Sequence, residues 1–294
     1  MGGGGFDYDT SLSRGISYQT KSREEVFAQR AMHRDMDVKG KIRESRDSDE
    51  HPTSFPIIIA LDVTGSMGVI PEYLIKFGFP EIMKKIMDEG IEHPQVCFLG
   101  IGDHYTDISP LQVGQFESSD ELLDKWLKII WLEGHGGGNG GESYSLAWYF
   151  AARHTSIDSF LKRGQKGVLI TIGDEPCHGS LSQESIKKLL GDTLEGVRDL
   201  EASNILKEAQ ESWNVYHINL QDYMGRRPSV QEGWRNYLGD RMINTEDETG
   251  KDIPEIIAGI TIGAYQLENL SALKPVGSLT PKEEENKETT NHLR

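Results

Sequence analysis

Asp62, Thr64 and Ser66 occupy alternate positions of the segment Asp62-Val63-Thr64-Gly65-Ser66 and offer one carboxylate and two hydroxyls from a single turn. Oxygen donors with no Cys or His among them suit Mg2+, Mn2+ or Ca2+ rather than zinc. Mg2+ fits the small, hydroxyl-rich loop best, because Ca2+ recruits more carboxylates. Two later stretches carry matching chemistry. The glycine-rich run 134–143 holds Asn139 directly behind its glycines and Glu142 three residues on, and Asp174 is followed by Glu175-Pro176-Cys177-His178-Gly179.

Strands must bring these donors together. Ile57, Ile58, Ile59 and Leu61 run into Asp62 without period-two alternation, which predicts a central parallel strand covered on both faces. Open α/β sheets bind their ligands at the carboxyl ends of such strands. Further strands are predicted over 95–101, 111–116 (a short edge), 167–172 and 215–220. Between them, Pro71 suits a helix start with Tyr73, Leu74 and Phe77 inward, interrupted at Gly78 and Pro80. Residues 119–130 turn Leu123, Trp126 and Leu127 to the core, and 142–154 is apolar nearly all round through Tyr144, Trp148 and Phe150. Helices near 186–190 and 200–213 follow, and Asp252 with Glu255 forms a capping box for the last one. This alternation predicts a doubly wound, mainly parallel α/β sheet with helices on both faces.

Residues 1–53 read as an N-terminal extension, 54–268 as the α/β domain and 269–294 as a polar, disordered tail. The first 20 residues, glycine-rich and polar, read as flexible or as an arm that orders only against a partner or the domain. Ser22 and Glu25 then make a capping box for one amphipathic helix carrying Val26, Phe27, Ala31 and Met32. Residues 39–52 read as a charged, solvated connection.

Composition narrows the function. The 294 residues carry 31 Lys+Arg against 47 Asp+Glu, a net charge of −16 that opposes nucleic-acid binding. Cys97 and Cys177 make no disulfide framework, so a reducing cytoplasm is expected. No apolar run is long enough for a bilayer, the N-terminus lacks a signal peptide's regions, and Phe6 stands where a myristoylation signal wants Ser or Thr.

The order Asp-x-Thr-x-Ser resembles the first loop of the von Willebrand factor A family and its metal-ion-dependent adhesion site. In that family the second metal loop is a glycine-rich turn carrying Thr before a buried helix, and the third is an Asp ending the next strand. Both elements occur here in order, and Asp174-Glu-Pro-Cys-His-Gly resembles the Asp-x-Pro-x-His-Gly of microbial and kinase-associated members. The likeness spans residues 54–268. It implies a metal set of Asp62, Thr64, Ser66, Asn139 and Asp174, with Asn139 standing where the family has Thr and Glu142 as the alternative donor. It also implies that Thr64 and Ser66 bind the ion directly, that the two Asp act mostly through waters, and that an open position attracts a partner's carboxylate. Intracellular microbial members suggest a protein partner within a larger assembly, often an AAA+ ATPase, and no enzymatic activity.

Other chemistries fit less well. Gly136 to Ser143 nearly matches a phosphate-binding loop, but Glu142 replaces the Lys that would neutralise phosphate. A phosphotransferase of the haloacid dehalogenase kind, with Asp62 as nucleophile, wants a second acid at the position of Thr64. His104, His135, His178 and Cys177 match no zinc spacing, and no Gly-x-Ser-x-Gly elbow marks a serine hydrolase.

Overall fold

The first long strand forms from Phe55–Asp62, and its two faces are used differently. Ile57, Ile59 and Leu61 enter one hydrophobic core, whereas Ile58 and Ala60 enter a second on the opposite side. Burial on both faces accounts for the missing alternation. The structure, a computed structural model, describes residues 4–67, 69–134, 140–196, 198–246 and 248–272, without the side chains of Ser66, Ser271 and Ala272. Asn139 and the tail from 273 onward lie outside the described residues.

The strands in chain order are β1 (Arg43–Ser45), β2 (Phe55–Asp62), β3 (Pro94–Ile101), β4 (Leu111–Val113), β5 (Thr155–Ile157), β6 (Gly167–Gly173), β7 (Ser180–Ser182), β8 (Asp199–Glu201), β9 (Trp213–Asn219) and β10 (Met242–Asn244). Six of them form the central sheet in the order β10-β9-β6-β2-β3-β4. All neighbours in it are parallel except β4, which runs antiparallel to β3 at the edge. Helices Phe79–Asp88, Asp120–Lys128 and Ile253–Ala272 cover the face of the first core. Helices Ser145–Arg153, Ala202–Ser212 and Pro228–Leu238 cover the other. The chain is therefore a doubly wound α/β domain.

Several elements depart from the sequence reading. The helix Pro228–Leu238 and the edge strand β10 were not expected. Gly78 does not interrupt its helix. A π-helical turn, Leu74–Gly78, runs straight into Phe79–Asp88, and it leaves Phe77 outward and 41% exposed. Gly78 instead admits the closing helix, since a Cβ there would meet Pro254 Cγ at 2.5 Å. Asp252 accepts a hydrogen bond from the Glu246 backbone, and Glu255 meets Lys85, partners other than the expected capping box.

The extension is built into the domain. Asp7 caps a helix, Tyr8–Tyr18, by accepting from Thr10 N at 2.6 Å. Gly15 lets that helix approach closely, because a Cβ would lie 2.8 Å from the Lys76 carbonyl oxygen. Arg14 pairs with Asp120 at 2.9 Å, and the Tyr18 hydroxyl donates to Asp124 at 3.0 Å. The Ser22–Glu25 capping box is present, but its helix is only Arg23–Val26. Phe27 leaves helical geometry there, so Val26 and Phe27 are buried while Ala31 is exposed. Residues 39–52 are no solvated connection: β1 pairs in parallel with β5, and Ser45 is fully buried.

Asp47 is the electrostatic hub of this junction. One carboxylate oxygen accepts from the Ser54 backbone and hydroxyl at 3.1 and 2.8 Å, and the other meets Arg163 at 2.7 Å and Lys162 at 3.3 Å. Burial pushes its carboxyl up, but the bonds from Arg163 and Ser54 outweigh that and hold it at about 2. A depressed carboxylate pKa stabilises above the unfolded value near 3.9 and loses that contribution as pH falls through the folded one. Asp47→Asn is expected to lower stability by about 1–2 kcal/mol at pH 7, after allowance for solvent screening. Urea unfolding of both proteins should show the gap closing towards pH 2.

Candidate functional site

Register sets the geometry of the sheet's carboxyl edge. Leu61 of β2 lies opposite Ile172 of β6, so Asp62 ends level with Gly173 and Asp174 follows one residue later. On the other side Asp62 faces Ile101 of β3, after which come Gly102 and Asp103. Asp62, Asp103 and Asp174 are each fully buried, and Thr64 is almost so.

Asp62 is clamped. One carboxylate oxygen accepts from Thr64 N at 2.9 Å and from the Thr64 hydroxyl at 2.6 Å; the other accepts from the Tyr144 hydroxyl at 2.7 Å. Burial pushes the Asp62 carboxyl upward against those three bonds, and the charge of Asp107 adds to the rise. The Tyr144 hydroxyl is driven far above its ordinary range, first by burial and then by the charges of Asp62, Asp174 and Glu142. One phenol thus reports three carboxylates grouped around it. Gly173 makes room for the ring, since a Cβ there would sit 1.8 Å from the Tyr144 oxygen.

Glu142 enters through its backbone. Its N–H donates to the Pro176 carbonyl at 2.9 Å and its carbonyl accepts from His178 N at 3.0 Å, while Ser143 N donates to Gly102 O at 3.3 Å. The segment after the glycine-rich run is therefore wedged between the loops that follow β3 and β6, and the helix begins only at Ser145. Glu142 is 4% exposed, and its Oε2 has no hydrogen-bond partner among the described residues. Burial, then the negative charges of Asp62, Asp107, Asp103 and Glu175, pushes its carboxyl strongly upward.

The donor set fits a divalent cation. Buried carboxylates are stable when paired, protonated or metal-bound, and Asp62, Asp174 and Glu142 are all buried at this edge. Among the described residues no three His, Cys, Asp or Glu side chains form a metal-holding group. Of the five expected ligands, Asp62, Thr64 and Asp174 lie at the ends of the neighbouring strands β2 and β6. Ser66 sits in the 3-10 turn Gly65–Met67, with its side chain outside the described set, and Asn139 is outside it altogether.

The histidines do other work. His178 Nε2 lies 3.0 Å from Asp103 Oδ1, and His104 Nδ1 lies 2.6 Å from the Ser143 hydroxyl. Burial, with His178 next to it, lowers the His104 pKa to about 4. Cys177 Sγ contacts the His178 carbonyl at 3.4 Å. Sequence reasoning missed Tyr144 as the partner of Asp62. A buried tyrosine hydroxyl needs an acceptor, but no spacing along the chain pointed to Asp62.

No protein-family model and no curated protein matches this chain. Among solved structures, the pilus adhesin SpaC from Lactobacillus rhamnosus GG is similar at 11% identity and a TM-score of 0.45, over 77% of this chain and 31% of that one. This chain thus spans about a third of the adhesin's length. The vWF domain of the type V pili tip protein Mfa5 from Porphyromonas gingivalis gives 11% identity and 0.44, over 78% and 98%. An aerotolerance-related membrane protein from Bacteroides fragilis NCTC 9343 gives 15% and 0.40, over 71% and 98%. By its own strand order, independently of these likenesses, the chain is a doubly wound α/β domain.

Proposed function

We propose that this chain is a divalent-cation-dependent protein-binding domain of the von Willebrand factor A type. The observation that carries the reading is the buried Asp62 at the carboxyl end of β2, clamped by Thr64 and Tyr144, with the buried Asp174 one residue past the level end of the neighbouring β6. Mg2+, or Mn2+ or Ca2+ in its place, would be held by Asp62, Thr64, Ser66 and Asp174, with Asn139 or Glu142 from the glycine-rich run. The orphaned oxygen of Glu142 favours that residue more than the sequence alone did. An ion ligated partly by hydroxyls stays electrophilic and takes a carboxylate from a partner protein. The partner proposed is a subunit of an intracellular assembly, such as an AAA+ ATPase, and the chain works in the cytoplasm as an adaptor without turnover of its own. Among the described residues no helix is long and apolar enough to cross a membrane.

A phosphotransferase reading is not favoured. The position where a general acid is wanted holds Thr64, whose hydroxyl is spent on Asp62, and Tyr144 occupies the second oxygen of the would-be nucleophile.

Calorimetric titration with Mg2+ tests the proposal. One ion is expected to bind, and at 100 times its Kd it should stabilise the fold by about 2.7 kcal/mol. Asp62→Ala and Ser66→Ala should each weaken binding tenfold or more. Unchanged affinity in both variants would end the metal reading.

A further inference from the structure

A second pocket, of about 370 Å3, opens directly beside the candidate metal loops. It is lined by Arg23, Phe27 and Arg30 of the extension, by Trp131, and by Gly65 and Gly134. Those glycines belong to the metal loops themselves. A Cβ on Gly65 would lie 3.1 Å from the Gly134 carbonyl oxygen, and Gly134 N donates to Val63 O at 3.4 Å. The extension's side is held firmly in place. Val26 and Phe27 are buried, the capping box closes on Ser22 N at 2.7 Å, and the Lys21 carbonyl accepts from Lys76 at 2.9 Å.

The lining pairs two arginines with two glutamates, a balanced set in a strongly acidic chain. In a protein of net charge −16, beside an edge crowded with buried carboxylates, this pocket presents two guanidinium groups. Of the two acids that also line it, Glu133 accepts from Ile108 N and Ser109 N at 2.9 and 3.2 Å, so both its oxygens are engaged by the backbone rather than by the arginines. Glu24, which is exposed, is the acid acted on by the charges of both Arg23 and Arg30, and among the described residues neither arginine forms an ion pair.

We propose that this pocket is an anion subsite for a second carboxylate of the same acidic partner segment that the ion engages. The inference rests on the cation reading above. One carboxylate on an ion selects weakly among acidic surfaces, whereas a second, gripped by planar guanidinium groups at a set spacing, reads the partner's sequence. Phe27 and Trp131 supply an apolar lining for the stem that carries it.

Fluorescence anisotropy with a fluorescein-labelled hexaglutamate peptide, in Mg2+ and in EDTA, tests the subsite. Wild type is expected to bind the peptide in Mg2+, Arg23→Ala/Arg30→Ala to bind about tenfold more weakly, and Arg23→Lys/Arg30→Lys to fall between. Thermal unfolding and Mg2+ affinity of these variants should match wild type. Lys188→Ala/Lys207→Ala, which removes the same charge from distant helices, should stay within about twofold. Equal weakening in that control, wild-type affinity in the double alanine variant, or no binding to wild type in Mg2+ would each overturn the subsite. Loss of peptide in the arginine variant alone, with no calorimetric Mg2+ binding to wild type, would keep the subsite and remove the cation reading.

Discussion

Gly173→Ala is expected to destabilise the protein by about 3 kcal/mol or more and to weaken Mg2+ binding with it. The added methyl would stand 1.8 Å from the Tyr144 oxygen and 2.5 Å from its Cζ, separations that nonbonded atoms do not tolerate. Relief requires the ring to move. It is completely buried, packed edge-on against His217 at 5.3 Å and Trp234 at 5.1 Å, so it has nowhere to go. Overpacking a dense core costs about 1–3 kcal/mol, and this contact is at the severe end. A displaced Tyr144 also takes its hydrogen bond from Asp62 and leaves a buried oxygen unmet, which costs about 1–3 kcal/mol. The melting temperature should drop by about 6 °C or more. A double-mutant cycle checks the cause. If the clash is with the ring, adding Gly173→Ala to Tyr144→Ala costs almost nothing, and additive losses would refute it.

Trp234→Ala should cost about 3–5 kcal/mol, the usual range for removing a large buried aromatic. Trp234 is 1% exposed and stacks on His217 with ring centroids 3.4 Å apart and planes 8° from parallel. Its indole N–H donates to the Glu175 carbonyl at 3.0 Å, which ties the helix Pro228–Leu238 to the loop carrying Asp174. The variant should change acid sensitivity as well. Burial holds the His217 pKa well below its ordinary value, so the unfolded chain binds a proton that the native protein refuses. That contribution is present above about pH 6.5 and lost as pH falls through it. Once the cavity admits water, His217 regains part of its proton affinity, and the loss of stability from pH 7 to 5 should be smaller than in wild type. An equal or larger loss, measured by urea unfolding at both pH values, would contradict this account.

Some of this site was legible in the residues and some was not, for physical reasons. The run Ile57 to Leu61 announced a strand covered on both sides because burial on two faces leaves no reason to alternate. Asp62 and Asp174 were visible as strand-end acids, since a carboxylate that closes an apolar run falls where the sheet opens onto its ligand crevice. Tyr144 was hidden because the stretch from it onward is apolar nearly all round and a tyrosine there looks like core; its acceptor lies 82 residues away. The helix Tyr8–Tyr18 was hidden by Gly15, which reads as a breaker until its packing against Lys76 is known. The helix Pro228–Leu238 had a start signal in Pro228, but its largely polar composition concealed the buried face of Val230, Trp234 and Leu238. β10, at three residues, is too short to show a period. The pocket under Arg23 and Arg30 is made by tertiary contact alone, and no spacing along the chain encodes it.

The pairing of β1 with β5 has a consequence for synthesis on the ribosome. Arg46 has a local partner in Glu44, but its second, Asp158, comes 112 positions later. At roughly 5–20 residues per second, that delay is on the order of 6–20 s. Until β5 is made, β1 lacks its strand partner while the apolar run of β2 follows it. The dense mixture of acids and bases between Lys39 and Glu50 keeps such a nascent chain hydrated until its docking site is made.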